Sequence, residues 1–186
     1  MNRSCNDSLL PDSFTIDIER AGQAMFILRT EQVFPLPRTK AFSFFEDPRN
    51  LFAITPDWLD FRMLRPAGSW EVLEGAEFDY HIRWFGIRMF WKSRIINYRP
   101  PEVFTDIQIQ GPYVRWEHTH RFESVPAGTF MTDEVQYTVP FSRIGELCHN
   151  LVIRSQLLDI FCYRAAKIKA WADNQRSNQN RLRSSA

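Results

Sequence analysis

Hydrophobic and polar residues alternate with a period of two through the middle of the chain, as they do in half-buried β-strands. The run EFDYHIRW (residues 77–84) carries a large apolar side chain at every second position. A two-residue turn at Phe85-Gly86 would pair Tyr80 with Trp91 in the run that follows. Because Gly and Pro breaks recur throughout this region, the pattern predicts an antiparallel meander of five or six strands.

The segments on either side of the meander have other patterns. FILRTEQVF (residues 26–34) predicts a first strand, and two short helical patterns separate it from the meander. After Pro140 the period becomes that of a helix, which we expect to run from Ser142 to about Trp171. Its predicted apolar stripe consists of Leu147, Leu151, Leu158, Phe161, Cys162, Ala165 and Ile168. This order predicts an α+β fold in which a curved antiparallel sheet wraps a long C-terminal helix.

Both ends of the chain lack sustained periodicity. Residues 1–24 are rich in Asn, Asp and Ser, and residues 174–186 are polar and basic. We therefore expect two disordered tails around one domain that spans residues 25–173. Met25 directly precedes the first predicted strand, so residues 1–24 are expected to be dispensable for folding. Met1 and Met25 are both candidate starts of the native chain.

Composition adds three expectations. The 23 basic and 22 acidic residues nearly balance, which gives no reason to expect nucleic acid or an anionic membrane surface as the main partner. Aromatic residues make up 15% of the chain, which favours a partly hollow interior over a close-packed core. No apolar stretch reaches the length of a signal-peptide core or a membrane span, so we expect a cytoplasmic protein without membrane insertion.

Two histidines lie on an otherwise apolar stripe in GPYVRWEHTHRFE (residues 111–123). If this run is a strand, Trp116, His118, His120 and Phe122 share the buried face, while the opposite face is almost entirely charged. Three explanations compete: a metal site, an acid/base pair and the polar lining of a cavity.

The local spacing argues against a metal site. Glu123 follows His120 too closely for a cupin-like motif and points to the opposite face. The three cysteines (Cys5, Cys148 and Cys162) have no C-x-x-C spacing, and no third His or Cys falls in register with the histidines. The sequence therefore predicts no metal, and it contains no motif for another cofactor.

The acid/base explanation depends on the strand that follows. In GTFMTDEVQYTV the apolar alternation puts Asp133 on the inner face, and a tight turn at Pro126-Ala127 would pair it with His120. A carboxylate beside a histidine raises the pKa of the imidazole and fixes its tautomer, as a general base requires. The same pair is equally consistent with a buried polar contact that does no chemistry, and no nucleophile motif accompanies it.

The cavity explanation combines the histidines with the aromatic side chains around them. Aromatic residues on a sheet face are more often core than ligand contacts, but these are expected to face the C-terminal helix together. The candidate ligand-binding residues are Tyr80, Trp84, Trp91, Trp116, His118, His120, Asp133 and Tyr137. In this explanation the histidines orient the polar end of a mostly apolar ligand.

Four segments carry a resemblance to known proteins: NLFAITPDWLDF (50–61), FDYHIRWFG (78–86), QGPYVRWEHTHRFE (110–123) and GTFMTDEVQYTVPF (128–141). With the order of elements, they make residues 25–172 similar to the SRPBCC superfamily. That superfamily includes START-related lipid carriers, birch-pollen-allergen-like proteins and polyketide cyclase/dehydrase-like proteins, and the likeness is greatest to bacterial SRPBCC family proteins. The resemblance implies a helix-grip fold, but it implies no single chemistry because the superfamily contains both enzymes and pure binders.

Ligand binding is the function that the sequence favours. The expected ligand is a small hydrophobic or aromatic molecule, such as a lipid, quinone, isoprenoid or polyketide-like compound, held between the sheet and the C-terminal helix. The alternative is a metal-free cyclase or dehydratase that uses His120 with Asp133 as its catalytic acid/base pair. A protein-interaction module is the second alternative. Some relatives are fused to an epimerase-like domain, so the resemblance also suggests an epimerase-like protein as a partner.

Overall fold

An eight-stranded antiparallel sheet organises the molecule. The structure is a computed structural model, and it describes residues 10–64, 70–84 and 86–184. The strands are β1 Thr15–Gly22, β2 Met25–Phe34, β3 Arg62–Met63, β4 Glu77–Trp84, β5 Ile87–Arg99, β6 Val103–Gln110, β7 Arg115–Val125 and β8 Gly128–Thr138. In the sheet they follow the order β1-β2-β8-β7-β6-β5-β4-β3, and each neighbouring pair is antiparallel.

Helical segments connect β2 to β3 and follow β8. They are α1 Arg38–Phe45, α2 Asn50–Ala53, a 3₁₀ turn at Asp57–Leu59, α3 Ser142–Cys148, a π-helical segment at His149–Ile153 and α4 Arg154–Ser184. The predicted α+β architecture, a curved sheet with one long C-terminal helix, is confirmed. Within the described ranges, no helix is both long and apolar enough to span a membrane.

Two groups of buried side chains hold the sheet against the helices. In the first, Phe42 of α1 packs edge-on against Phe104 and Phe122, with ring centroids 5.7 and 5.3 Å away. The second group joins strands β1, β2 and β8 to the π-helical segment and α4, where Leu157 and Phe161 are buried. The two groups fix the helix over the sheet and leave a space between the two layers.

The predicted hairpin registers are confirmed. β4 and β5 pair Tyr80 with Trp91, and β7 and β8 pair His120 with Asp133. In both hairpins only two residues separate the paired strand ends, and mostly apolar residues alternate along the strands. A slip of one residue would turn every apolar side chain of a strand toward the solvent, so the alternation specifies the register.

The prediction of disordered tails is wrong at both ends. Residues 15–22 form the edge strand β1, in which Ile18 is 8% exposed and packs in the second core group, so the segment before Met25 does contribute a core face. An alternation of two isoleucines is too short to stand out in the sequence, and the edge of β2 gives it a partner. At the other end α4 continues to Ser184, because no Gly or Pro interrupts the chain there. Residues 1–9 lie outside the described residues.

The C-terminal helix begins at Ser142 as predicted, but its first half presents a different face. Leu147 and Leu151 are 59% and 70% exposed, whereas His149 and Ile153 are buried. The cause is the π-helical segment, whose wider turn puts the residues on its two sides out of phase with one another. Beyond this segment, the predicted stripe is buried at Phe161, Cys162, Ala165 and Ile168.

One glycine is required by both its conformation and its surroundings. Gly128 begins β8 with a φ of 132°, and a Cβ there would lie inside van der Waals contact with the carbonyl oxygen of Phe34. We expect Gly128→Ala to lower the free energy of unfolding by about 2 to 3 kcal/mol, because the backbone must shift. Gly22→Ala is the matched control, since a Cβ there meets the Cβ of Met25 at an ordinary 3.6 Å. Urea unfolding measures both, and equal stabilities would argue against the prediction.

Candidate functional site

A cavity of about 190 Å³ lies between the inner face of the sheet and the C-terminal helix. Its volume corresponds to about six water molecules and is enough for a small ring system. Strands β4 to β8 supply one wall, the segment from α1 to β3 supplies a second, and the π-helical segment with α4 closes the third side.

Most of the predicted ligand-binding residues lie on the wall of this cavity. They are Tyr80, Trp84, Trp91, Trp116, His118, His120 and Asp133. Tyr137 was expected among them but lies outside the wall, fully buried, and its hydroxyl forms a hydrogen bond of 2.8 Å with Nε2 of His149. The alternation puts Tyr137 on the inner face of β8, but the π-helical segment turns His149 onto that part of the face.

The aromatic residues of the wall support one another. Trp91 meets Trp116 edge-on with ring centroids 5.3 Å apart, and Tyr80 stacks on Trp91 at 5.8 Å. The indole N–H of Trp84 donates a hydrogen bond to the side chain of Gln156 on α4. These contacts hold the rings in fixed positions and connect the sheet to the helix, so the apolar wall is largely pre-formed.

Four ionisable side chains meet on this wall, and we call Asp106, His118, His120 and Asp133 the polar cluster. Neighbouring strands bring them together, because β6 pairs Asp106 with His118 while β8 pairs Asp133 with His120. All four line the cavity.

Asp133 contacts both imidazoles. Its Oδ1 lies 2.6 Å from Nδ1 of His120 and 3.3 Å from Nε2 of His118. Its Oδ2 accepts a hydrogen bond of 3.3 Å from the hydroxyl of Thr30 on β2. The predicted contact between His120 and Asp133 is therefore present, and the same carboxylate also contacts the second histidine.

Asp106 faces the other nitrogen of each ring. Its Oδ2 lies 3.5 Å from Nδ1 of His118 and 3.8 Å from Nε2 of His120. The sequence missed Asp106 because the alternation in residues 102–110 does not decide which face of that strand is the inner one. The argument against a metal considered only a third His or Cys in register, whereas β6 brings the Asp106 carboxylate beside both histidines.

Burial and charge separate the pKa values of the two histidines. Burial disfavours the imidazolium form of His120, but the Asp133 and Asp106 carboxylates outweigh it and raise the pKa of His120 to about 9. Burial and the positive charge of His120 lower the pKa of His118. Burial also opposes ionisation of Asp133, yet the two imidazoles hold the pKa of its carboxyl well below its usual range. At neutral pH the histidines therefore differ in protonation, and Asp133 is ionised.

Arg164 reaches the cavity from α4, on the side opposite the sheet. Its guanidinium carbon lies 5.2 Å from the centre of the Phe161 ring. Burial lowers the pKa of Arg164, and the carboxylates of Asp133 and Asp106 act against this. The sequence does not predict Arg164 as a cavity residue, because Arg164 lies beside the apolar stripe and not on it. Helical periodicity does not show how far a long side chain extends from such a position.

A comparison with protein families identifies the group to which this fold and cavity belong. The family model described as polyketide cyclase / dehydrase and lipid transport matches residues 34–159. The chain belongs to this family. The polyketide cyclase/dehydrase and lipid transport family is of the SRPBCC type, so the predicted membership is confirmed. A search of curated proteins found no match.

Solved structures share the fold of this family member at low sequence identity. Protein Ms6760 from Mycobacterium smegmatis is 15% identical, with a TM-score of 0.59 over 87% of this chain and 99% of that one. CV1439 from Chromobacterium violaceum is 14% identical, with a TM-score of 0.60 over 78% of this chain and 96% of that one. The di-domain ARO/CYC StfQ from the steffimycin biosynthetic pathway is 13% identical, with a TM-score of 0.64 over 83% of this chain and 52% of that one. These likenesses show the fold and not the chemistry.

Proposed function

We propose that the protein binds a small, mostly apolar molecule whose polar group contacts the polar cluster. The observation that carries this proposal is a cavity lined by aromatic side chains, with Asp106, His118, His120 and Asp133 on its wall. Buried ionisable groups are costly unless they have partners, and a ligand hydroxyl, carbonyl or carboxylate would supply further ones. Lipids, quinones, isoprenoids and polyketide-like compounds all combine such a group with an apolar body.

Among these classes, we take a polyketide-like compound as the first candidate and a lipid as the second, since both are named in the description of the family. The family description names polyketide cyclisation, dehydration and lipid transport. The similar protein StfQ is an ARO/CYC of the steffimycin pathway. An aromatic ring system would stack against the Trp and Tyr side chains of the wall, which gives the same preference on physical grounds.

Tryptophan fluorescence tests this proposal, because Trp84, Trp91 and Trp116 line the cavity. We expect 1,4-naphthoquinone and hydroxylated anthraquinones to quench this fluorescence saturably, with one molecule bound per chain. Trp91→Phe should reduce the quenched fraction, whereas Trp58→Phe, which replaces an exposed tryptophan outside the wall, should leave it unchanged. Failure of quinones, anthraquinones and fluorescent fatty acids alike to bind saturably would refute the proposal.

A second candidate function is a cyclase or dehydratase, favoured by the contact of 2.6 Å between His120 and Asp133 on the cavity wall. The variant His120→Gln separates the two functions. An enzyme should lose turnover by about a hundredfold or more with little change in affinity. A binding protein should lose only the affinity of one hydrogen bond, about 1 kcal/mol.

A further inference from the structure

Two imidazole nitrogens and a carboxylate oxygen converge within the polar cluster. Donor atoms of Asp106, His118 and His120, one from each residue, all lie within 4.8 Å of one another. Oδ2 of Asp106 is 3.5 Å from Nδ1 of His118 and 3.8 Å from Nε2 of His120. Nitrogen and oxygen ligands bound about 2.0 to 2.2 Å from one ion lie about 3 to 4 Å apart. The two distances from Asp106 to the imidazole nitrogens fall in this range.

The carboxylate of Asp133 is placed behind the two rings. Its Oδ1 contacts Nδ1 of His120 and Nε2 of His118, whereas Asp106 lies beside the other nitrogen of each ring. A metal-binding histidine usually directs its other ring N–H to a carboxylate, which fixes the tautomer and strengthens the ligating nitrogen. Protonation of His118 at Nε2 and of His120 at Nδ1 would leave the two nitrogens nearest Asp106 unprotonated, as metal ligation requires.

Two independent features of the cluster thus agree. Three donor atoms lie within 4.8 Å of one another, and the Asp133 carboxylate lies beside the second nitrogen of each ring. Asp133 is itself held by Thr30, whose hydroxyl donates to Oδ2. The side chains of His118 and Asp133 are more than nine-tenths buried, so the arrangement is held by the sheet and not by surface side chains that happen to meet.

We infer that Asp106, His118 and His120 bind a divalent transition-metal ion, with Asp133 as the outer partner of both histidines. Two imidazoles and one carboxylate suit zinc, iron, cobalt or manganese better than calcium or magnesium, which prefer oxygen ligands. Three protein ligands leave coordination positions open, and these face the cavity because all three residues line it. The ion would bind an oxygen atom of the ligand. Metal binding and ligand binding are separate claims, and each can be tested without the other.

The test uses the full-length chain without an affinity tag, stripped with a chelator and titrated with Co(II). We expect one Co(II) per chain, visible d–d absorption bands, and displacement of Co(II) by Zn(II). Asp106→Asn should weaken Co(II) binding about a hundredfold, and Asp133→Asn should weaken it about 10- to 100-fold through the histidines. The matched controls His81→Gln and Asp79→Asn replace the same residue types on β4 outside the cavity wall, and they should bind Co(II) as the wild type does.

A measurement on the wild-type chain makes the result independent of how the variants fold. Imidazole ¹⁵N resonances recorded with and without Zn(II) should show ligation at Nδ1 of His118 and Nε2 of His120. Near-UV circular dichroism identifies any variant that has lost its packing, and such a variant is left out of the comparison. The inference is overturned if the wild type shows no saturable binding of Co(II) or Zn(II), if Asp106→Asn binds as tightly as wild type, or if Zn(II) ligates other nitrogens.

Discussion

A chain in which leucine replaces both His118 and His120 is expected to have a free energy of unfolding about 3 to 5 kcal/mol below that of the wild type. The two imidazoles contact the Asp133 carboxylate, whose side chain is 8% exposed. Without them, the hydroxyl of Thr30 is the remaining partner among the side-chain contacts described above. A buried carboxylate that loses its counter-charge destabilises a protein more than the pair itself stabilised it. Leucine also fills much of the ring volume, so little of the loss comes from new empty space.

Urea unfolding in the presence of a chelator measures this effect free of any bound metal. Addition of Asp133→Leu to the double variant should recover most of the loss, because a buried pair that is replaced on both sides often leaves stability unchanged. The single variant His81→Leu is the control, since His81 is half-buried on β4 and outside the cavity wall. A double variant as stable as wild type, or a triple variant no more stable than the double, would contradict the prediction.

The parts of the fold that the sequence predicts are those in which local pattern and tertiary packing agree. Only two residues separate β4 from β5 and β7 from β8, so alternation specifies which residues face each other. That agreement makes the pairing of His120 with Asp133 predictable from the sequence alone. β1 is also separated from its partner β2 by only two residues, but its alternation consists of just Ile16 and Ile18, which is too short to predict a strand.

The parts of the site that the sequence misses depend on neighbours that its pattern does not specify. The residue pattern of β6 is equally consistent with Asp106 on the inner or the outer face of the sheet. The pairing of Asp106 with His118 on β7 places it on the inner face. The side chain of Arg164 is long enough to reach the cavity from a position beside the apolar stripe of α4. A π-helical segment shifts the phase of the C-terminal helix, exposing Leu147 and burying His149 against Tyr137. Each case needs the three-dimensional arrangement, which a count of residue spacings does not provide.

Filling the cavity from the sheet side is expected to weaken ligand binding by about a hundredfold or more. Ser93 lies on the wall from β5, and its hydroxyl is 2.9 Å from that of Tyr80. Ser93→Phe would place a ring in a cavity of about 190 Å³ and occupy much of the space that a ligand ring needs. Because the ring enters existing space, we expect a change in unfolding free energy of about 1 kcal/mol or less, in contrast to the larger cost of overpacking a filled core.

Ser93→Ala is the matched control for this prediction. This variant loses the hydroxyl and its contact with Tyr80 but keeps the cavity open. The affinity of the variant for a naphthoquinone probe should therefore stay within about threefold of the wild-type affinity, a difference smaller than one hydrogen bond contributes. Titrations of both variants, with urea unfolding in parallel, separate lost space from lost stability. If Ser93→Phe binds the probe as tightly as Ser93→Ala does, the ligand lies elsewhere. If Ser93→Phe instead destabilises the protein by several kcal/mol, the space at Ser93 is filled core and not a binding cavity.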